Sequence, residues 1–172
     1  MRLTKMAVAA ACFLLGTAGL NHSKTQDSVD YNTTLGRRVF VEIYGEGKVN
    51  PVDQLFADNF VDDSPGGGSG RELIKEAATD SYKACPDLHI EIEDVFATND
   101  KVVVRYTGHG TQTGVFGEIP PTGKTIKVRG LTVLLIANGK IKTEMDRVRE
   151  VGNAATAWRD TLVVKPARGE RH

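Results

Sequence analysis

The segment Tyr106–Lys124, YTGHGTQTGVFGEIPPTGK, constrains this chain more than any other. It holds Gly108, Gly110, Gly114, Gly117 and Gly123 together with the adjacent Pro120 and Pro121. A β-branched run leads in at Val102–Val104, and another leads out from Thr125 to Val128. Glycine gives backbone freedom and proline removes it, so the pattern reads as two strands joined by a long, shaped loop. Long structured loops between strands carry function more often than short ones.

The rest of the chain supplies an α+β frame for that loop. Leu35, Val39, Phe40 and Ile43 recur at helical spacing within a helix expected over 28–46, with Gly36 interrupting it and Gly45 and Gly47 stopping it. A second helix is expected from Val52 to Phe60, after Pro51. Ser69 and Glu72 stand at capping-box spacing before a third, Ser69–Ala84, with Leu73, Ile74, Ala77 and Tyr82 as its apolar face. The period then falls to two. Leu88, Ile90 and Ile92 alternate with His89, Glu91 and Glu93, and the alternation slips near Asp94–Phe96, which signals a bulge. Strands follow at 101–111, 125–137 and 140–150, the last two joined by the hairpin dipeptide Asn138–Gly139. Leu131–Ile136 is apolar on both faces, which suits a central strand. Helices first and an antiparallel meander after define an α+β domain.

With 172 residues the chain has room for one domain and a short extension. Twenty-two basic and 22 acidic residues cancel, so charge gives no footprint for nucleic acid. Arg2 and Lys5 precede the apolar run Ala7–Leu15 and the small residues Gly16-Thr17-Ala18, the pattern of a secretory signal cut after Ala18. The apolar run is too short to span a bilayer, so no stable membrane insertion is expected after cleavage. The expected organisation is a signal peptide (1–18), a linker (19–27), the domain (28–164) and a flexible tail (165–172), with a secreted or periplasmic location. Cleavage would leave Cys85 as the single cysteine, and no cysteine–histidine cluster has zinc spacing, so no metal site is expected.

Four stretches point to a family. They are Phe60-Val61-Asp62-Asp63 before a glycine turn and a helix, Cys85-Pro86-Asp87-Leu88-His89 leading into Ile92–Val95, Gly110-Thr111-Gln112-Thr113-Gly114 followed by Pro120–Lys124, and Gly139-Lys140-Ile141 with an acidic residue close behind. Together they resemble the SnoaL-like polyketide cyclases of the nuclear transport factor 2-like superfamily, from about Val39 to Val148. The resemblance implies a cone, in which a curved antiparallel sheet wraps a pocket closed by helices. It implies ester cyclisation by an intramolecular aldol reaction, without metal or organic cofactor, in which a base removes a proton beside a carbonyl and the pocket stabilises the enolate. It also implies a homodimer through the open sheet face.

The chain departs from the family at sites that matter. Gln112 stands where the family has histidine, Asp63 takes the place of another histidine, and Met145 and Arg149 stand where tryptophan and aspartate are usual. The candidate catalytic groups are therefore His109, Asp146 and Asp63. His109 is the histidine best placed for proton transfer, and a carboxylate in an apolar pocket can act as a base. Gln112, Arg105, Met145 and Arg149 are candidate ligand contacts. Strand alternation sets Asp146 on the face opposite Met145 and Arg149. If the Met145 face is the concave one, its arginines suit a carboxylate ligand. The expected partner is a small hydrophobic carbonyl or carboxylate compound. A binding module that keeps the pocket and has lost the chemistry is the competing function. An epoxide-hydrolase-like arrangement of Asp63, Asp146 and an arginine around a water is a third.

Overall fold

The structure, a computed structural model, describes residues 17–64, 67–117 and 119–150, and the side chains of 24–64, 67–117 and 119–146. Helix α1 (Thr17–Arg38) runs into one π-helical segment (Val39–Gly45). A single helical turn, α2 (Val52–Leu55), precedes strand β1 (Phe56–Asp62). Helix α3 (Glu72–Ala84) then leads into β2 (His89–Ala97), β3 (Lys101–Thr111), β4 (Thr125–Ala137) and β5 (Lys140–Glu150). The five strands form one curved mixed sheet in the order β1-β5-β4-β3-β2, antiparallel except where β1 runs parallel to β5.

The helical stripe read from the sequence is the one that packs. Leu35, Val39, Phe40 and Ile43 are buried in one core with Val102, Val104, Leu134 and Ile141 of the sheet. Gly36 has a packing reason. A Cβ at this position would lie 2.6 Å from a Val102 methyl carbon, so only glycine lets the helix approach β3 this closely. Residues 19–27, expected as a linker, continue α1. Once the turns at 28–43 are fixed by the core, adding turns to an existing helix carries no further nucleation cost. The buried Asn32 donates to the Thr98 carbonyl at 2.8 Å and ties α1 to the β2–β3 turn.

Three expectations change in the folded chain. The helix expected at 52–60 ends at Leu55, and Phe56–Asp62 is a strand. Phe56 and Phe60 are both fully buried, and a spacing of four falls on one face in either a helix or a strand. Pairing with Ile141, Thr143 and Glu144 of β5 decides the matter. The third helix starts at Glu72 with no side-chain cap, because Ser69 is drawn into a bridge with Val61. Its buried positions are Ile74, Ala78 and Ala84, while Ala77 is exposed. The bulge in β2 falls at Glu93, one residue before the expected slip.

The other strand assignments match, and β4 is the central strand. Asn138 (φ 53°) and Gly139 (φ 72°) make the tight hairpin with both central residues in the left-handed region. Of the expected leader, only Thr17 and Ala18 are described. The expected tail (165–172) lies outside the described residues.

Candidate active site

Strand β5 carries the site. The register slips between Leu135 and Ile136, so that Leu134 pairs with Glu144 and Thr132 with Asp146. From there the pleat sends Glu144 and Asp146 to the same face, which is the inner one, and Met145 to the outer one. Glu144 is buried, and Asp146 is partly buried. The alternation read from the sequence holds, and the face it places inward is that of Asp146.

Asp146 is held from several sides. Its Oδ1 accepts from Thr132 Oγ1 at 2.7 Å, and its Oδ2 lies 3.4 Å from the Tyr106 hydroxyl, which donates. Its backbone N–H donates to Ser64 Oγ at 2.8 Å. The Ser64 N–H in turn donates to Asp62 Oδ1 at 2.9 Å, and the Asp63 N–H donates to the Glu144 carbonyl at 2.8 Å. The turn after β1 is thus laced to β5 beside the carboxylates.

Glu144 sits deeper. One carboxylate oxygen, Oε2, is buried without a hydrogen-bond partner. Burial, then the nearby Asp146 and Asp62 carboxylates, push its pKa up to about 8, against a hydrogen bond from Tyr44 that pulls it down. Near neutral pH this group holds its proton. Burial raises the Tyr44 and Tyr106 phenols well above their ordinary range, and the Glu144 and Asp146 charges add to it. Both tyrosines remain hydroxyl donors at any physiological pH. Phe40 packs between their rings, with centroids 5.6 Å from Tyr44 and 4.7 Å from Tyr106.

The structure brings one of the three catalytic candidates, Asp146, into this cluster. Asp63 is exposed and contributes a backbone N–H, whereas its neighbour Asp62 acts on Glu144. His109 lies on the other face of β3 from Tyr106, opposite His89 of β2, with the rings 5.1 Å apart. Arg105 shares that outer face and is bound by Glu93 and Asp94, which the β2 bulge sets side by side. Met145 pairs with Val133 on the outer side. Arg149 pairs with Arg129 in the ladder, and its side chain lies outside those described.

Gln112 is almost fully buried and works as a staple for the glycine–proline loop. Its Nε2 donates to Pro120 O at 3.1 Å and Gly114 O at 3.3 Å, and its Oε1 accepts from Thr122 Oγ1 at 2.7 Å. The loop docks on the end of α3, where Thr113 and Gly114 N–H groups both donate to Ala84 O. A Cβ on Gly114 would lie 2.1 Å from Lys83 O, so this contact requires glycine. Among the described residues, no group of three or more His, Cys, Asp or Glu is placed to hold a metal ion.

Glu144, Asp62, Tyr44 and Tyr106 were not singled out from the sequence. The available signal was the two-residue spacing of Glu144 and Asp146 on one strand. It became informative once the inner face of β5 was known.

Helices followed by a five-stranded, curved mixed sheet make this an α+β domain of the nuclear transport factor 2-like class. The chain belongs to the SnoaL-like polyketide cyclase family, whose family model matches residues 34–155. A protein of Jannaschia sp. CCS1 described as a SnoaL-like polyketide cyclase superposes with a TM-score of 0.65 at 21% identity, over 80% of this chain and 94% of that one. AclR from Streptomyces galilaeus, described as a hydroxylase, superposes with a TM-score of 0.63 at 21% identity, over 70% and 76% of the two chains. A Bacillus cereus protein described as a polyketide cyclase is 26% identical, with a TM-score of 0.56, over 73% and 77%. No curated protein matches the chain in sequence.

Proposed function

We propose that this chain is a cofactor-free cyclase-type catalyst that removes a proton beside a carbonyl, with Asp146 as the base and Glu144 as the proton-bearing partner. The observation that carries this reading is their placement. They lie two residues apart on the inner face of one strand, one partly buried among hydroxyl donors, the other buried and protonated near pH 7. Two carboxyl groups in such different surroundings can divide acid and base roles. Asp146 takes the α-proton. The protonated Glu144 donates a hydrogen bond to the enolate oxygen and stabilises its charge. The enolate carbon then bonds to a second carbonyl carbon of the same molecule, whose oxygen receives the proton. Family membership supports this class of reaction.

Exchange of α-protons for deuterium in ketone esters, followed by NMR in heavy water, tests the first step without knowledge of the natural substrate. The wild-type chain is expected to accelerate exchange and Asp146→Asn to abolish it. Exchange unchanged in Asp146→Asn would sink the assignment of the base, and no exchange across a panel of ketone esters would favour the binding-module reading.

The leader pattern supports export of the mature domain. An outer-face row supports a homodimer. Phe96, Val103, Val133 and Met145 are successive cross-strand partners, and Phe96 is 64% exposed. Val133→Arg would then give a monomer in light scattering.

A further inference from the structure

The outer face of the sheet carries a pair of metal-ligating side chains apart from the acid–tyrosine cluster. His89 of β2 and His109 of β3 are direct cross-strand partners, and their rings stand 5.1 Å apart, tilted by 54°. His89 is exposed and His109 half-buried, so the pair opens to water. Partners on one sheet face keep their Cβ atoms about 5 Å apart, so the backbone already holds the two rings together. Two imidazoles bound to one ion, each at about 2.0–2.1 Å, have centroids roughly 4.5–5 Å apart. Small ring rotations therefore turn this pair into a chelate. Hydrogen bonds from Thr111 and, more weakly, the neighbouring His109 hold the Asp87 carboxylate below its ordinary range, so it adds negative charge close by. Glu91 follows His89 on the same face of β2, and the exposed Lys127 is the partner of His109 on β4. Lys127 opposes a cation, but its ammonium sits on a flexible stem in water, where the repulsion is screened. No third protein ligand is in place among the described residues, so water would fill the remaining positions.

We propose that His89 and His109 chelate one divalent first-row transition ion, copper(II) most tightly, on the outer face of the sheet. Imidazole donors suit copper, nickel and zinc, and affinity at a nitrogen site peaks at copper(II). Binding by the first ring makes binding by the second intramolecular, which lifts a pair above two separate histidines. The ion ties the edge strand β2 to β3, and an ion held only by the folded chain stabilises it by mass action. The pair lies on the face of β3 opposite Tyr106, so the ion takes no part in removing an α-proton at Asp146. Cysteine–histidine spacing along the chain does not register such a pair, since the pairing of β2 with β3 brings it together.

The test is titration of the full chain with copper(II) chloride and, separately, zinc(II) chloride in a non-chelating buffer near neutral pH. His22 and His172 are replaced by alanine throughout, which leaves His89 and His109 as the only histidines. His89→Asn and His109→Asn should each weaken copper binding about tenfold or more in calorimetry, and the double variant should lose no more than either single one. Zinc should shift the ring nitrogens of both histidines along one binding curve in NMR. It should also raise the melting temperature of the parent chain but not of the variants. A cooperative melt without metal checks that each variant folds. A loss below about twofold in either variant, or losses that multiply in the double variant, would overturn the chelate. Zinc shifts confined to one ring, or no copper binding at all, would overturn it too. Exchange of ketone α-protons is read separately and does not involve these residues. Its failure would sink the catalytic reading alone, and failure of the metal titration would sink this inference alone.

Discussion

Tyr106 reaches Asp146 across a gap that only Gly130 leaves open. Gly130 is the cross-strand partner of Tyr106, and a Cβ there would lie 2.3 Å from the Tyr106 ring carbon Cζ. The ring lies over the glycine, and its hydroxyl stands 3.4 Å from Asp146 on the strand beyond. A missing side chain on the central strand therefore places a phenol against the proposed base.

Gly130→Ala should displace the Tyr106 ring, because the added carbon meets a stiff aromatic ring held against Phe40. Overpacking of this kind costs about 1–3 kcal/mol. Urea denaturation would show the loss. α-Proton exchange should fall further than the loss of stability explains, since the Asp146 hydrogen bond is lost with it.

Glu144 gives the fold a pH dependence with a definite sign. Its pKa rises from an ordinary 4.5 to about 8 on folding. Between those values the folded chain keeps a proton that the unfolded chain has released. The contribution is fully present below about pH 4.5 and is lost progressively as pH rises to about 8. The full span corresponds to about 3–5 kcal/mol. Urea midpoints measured from pH 4.5 to 9 should fall across this window, and Glu144→Gln should flatten the profile.

Gln112→Ala removes three hydrogen bonds from a buried side chain and leaves the Pro120 carbonyl and the Thr122 hydroxyl without that partner. The expected loss is about 1–3 kcal/mol in a thermal or urea melt. Amide exchange at Gly123, which donates to the Gln112 carbonyl, should speed up. An exchange rate at Gly123 equal to the wild type would contradict the staple.

His109→Ala should leave α-proton exchange within about twofold of wild type, because the side chain lies on the sheet face away from Asp146 and Glu144. A loss of a hundredfold or more would move the site to the outer face.

Most of the framework was legible in the sequence because it depends on local periods. The alternation in β2, the doubly apolar run of β4 and the Asn138–Gly139 turn each specify an element within a few residues. The stretch from Phe56 to Phe60 was ambiguous, since a four-residue spacing suits both periods. The capping pair at Ser69 and Glu72 was overruled by a bridge to Val61, a partner eight residues earlier.

The site was legible only in part, for a related reason. Alternation along β5 separates Asp146 from Met145, but it carries no sign, so it cannot say which side faces the helices. The sequence by itself determined the α+β order, the antiparallel meander of the last four strands, the shaped loop and the family resemblance, since these follow from spacing and turn chemistry. Only the tertiary structure decided that Glu144 and Asp146 face inward, that Asp62 rather than Asp63 joins them, and that Tyr44 and Tyr106 complete the cluster. Burial and the pairing of β5 with β1 set that choice, and both are made between residues far apart in the chain.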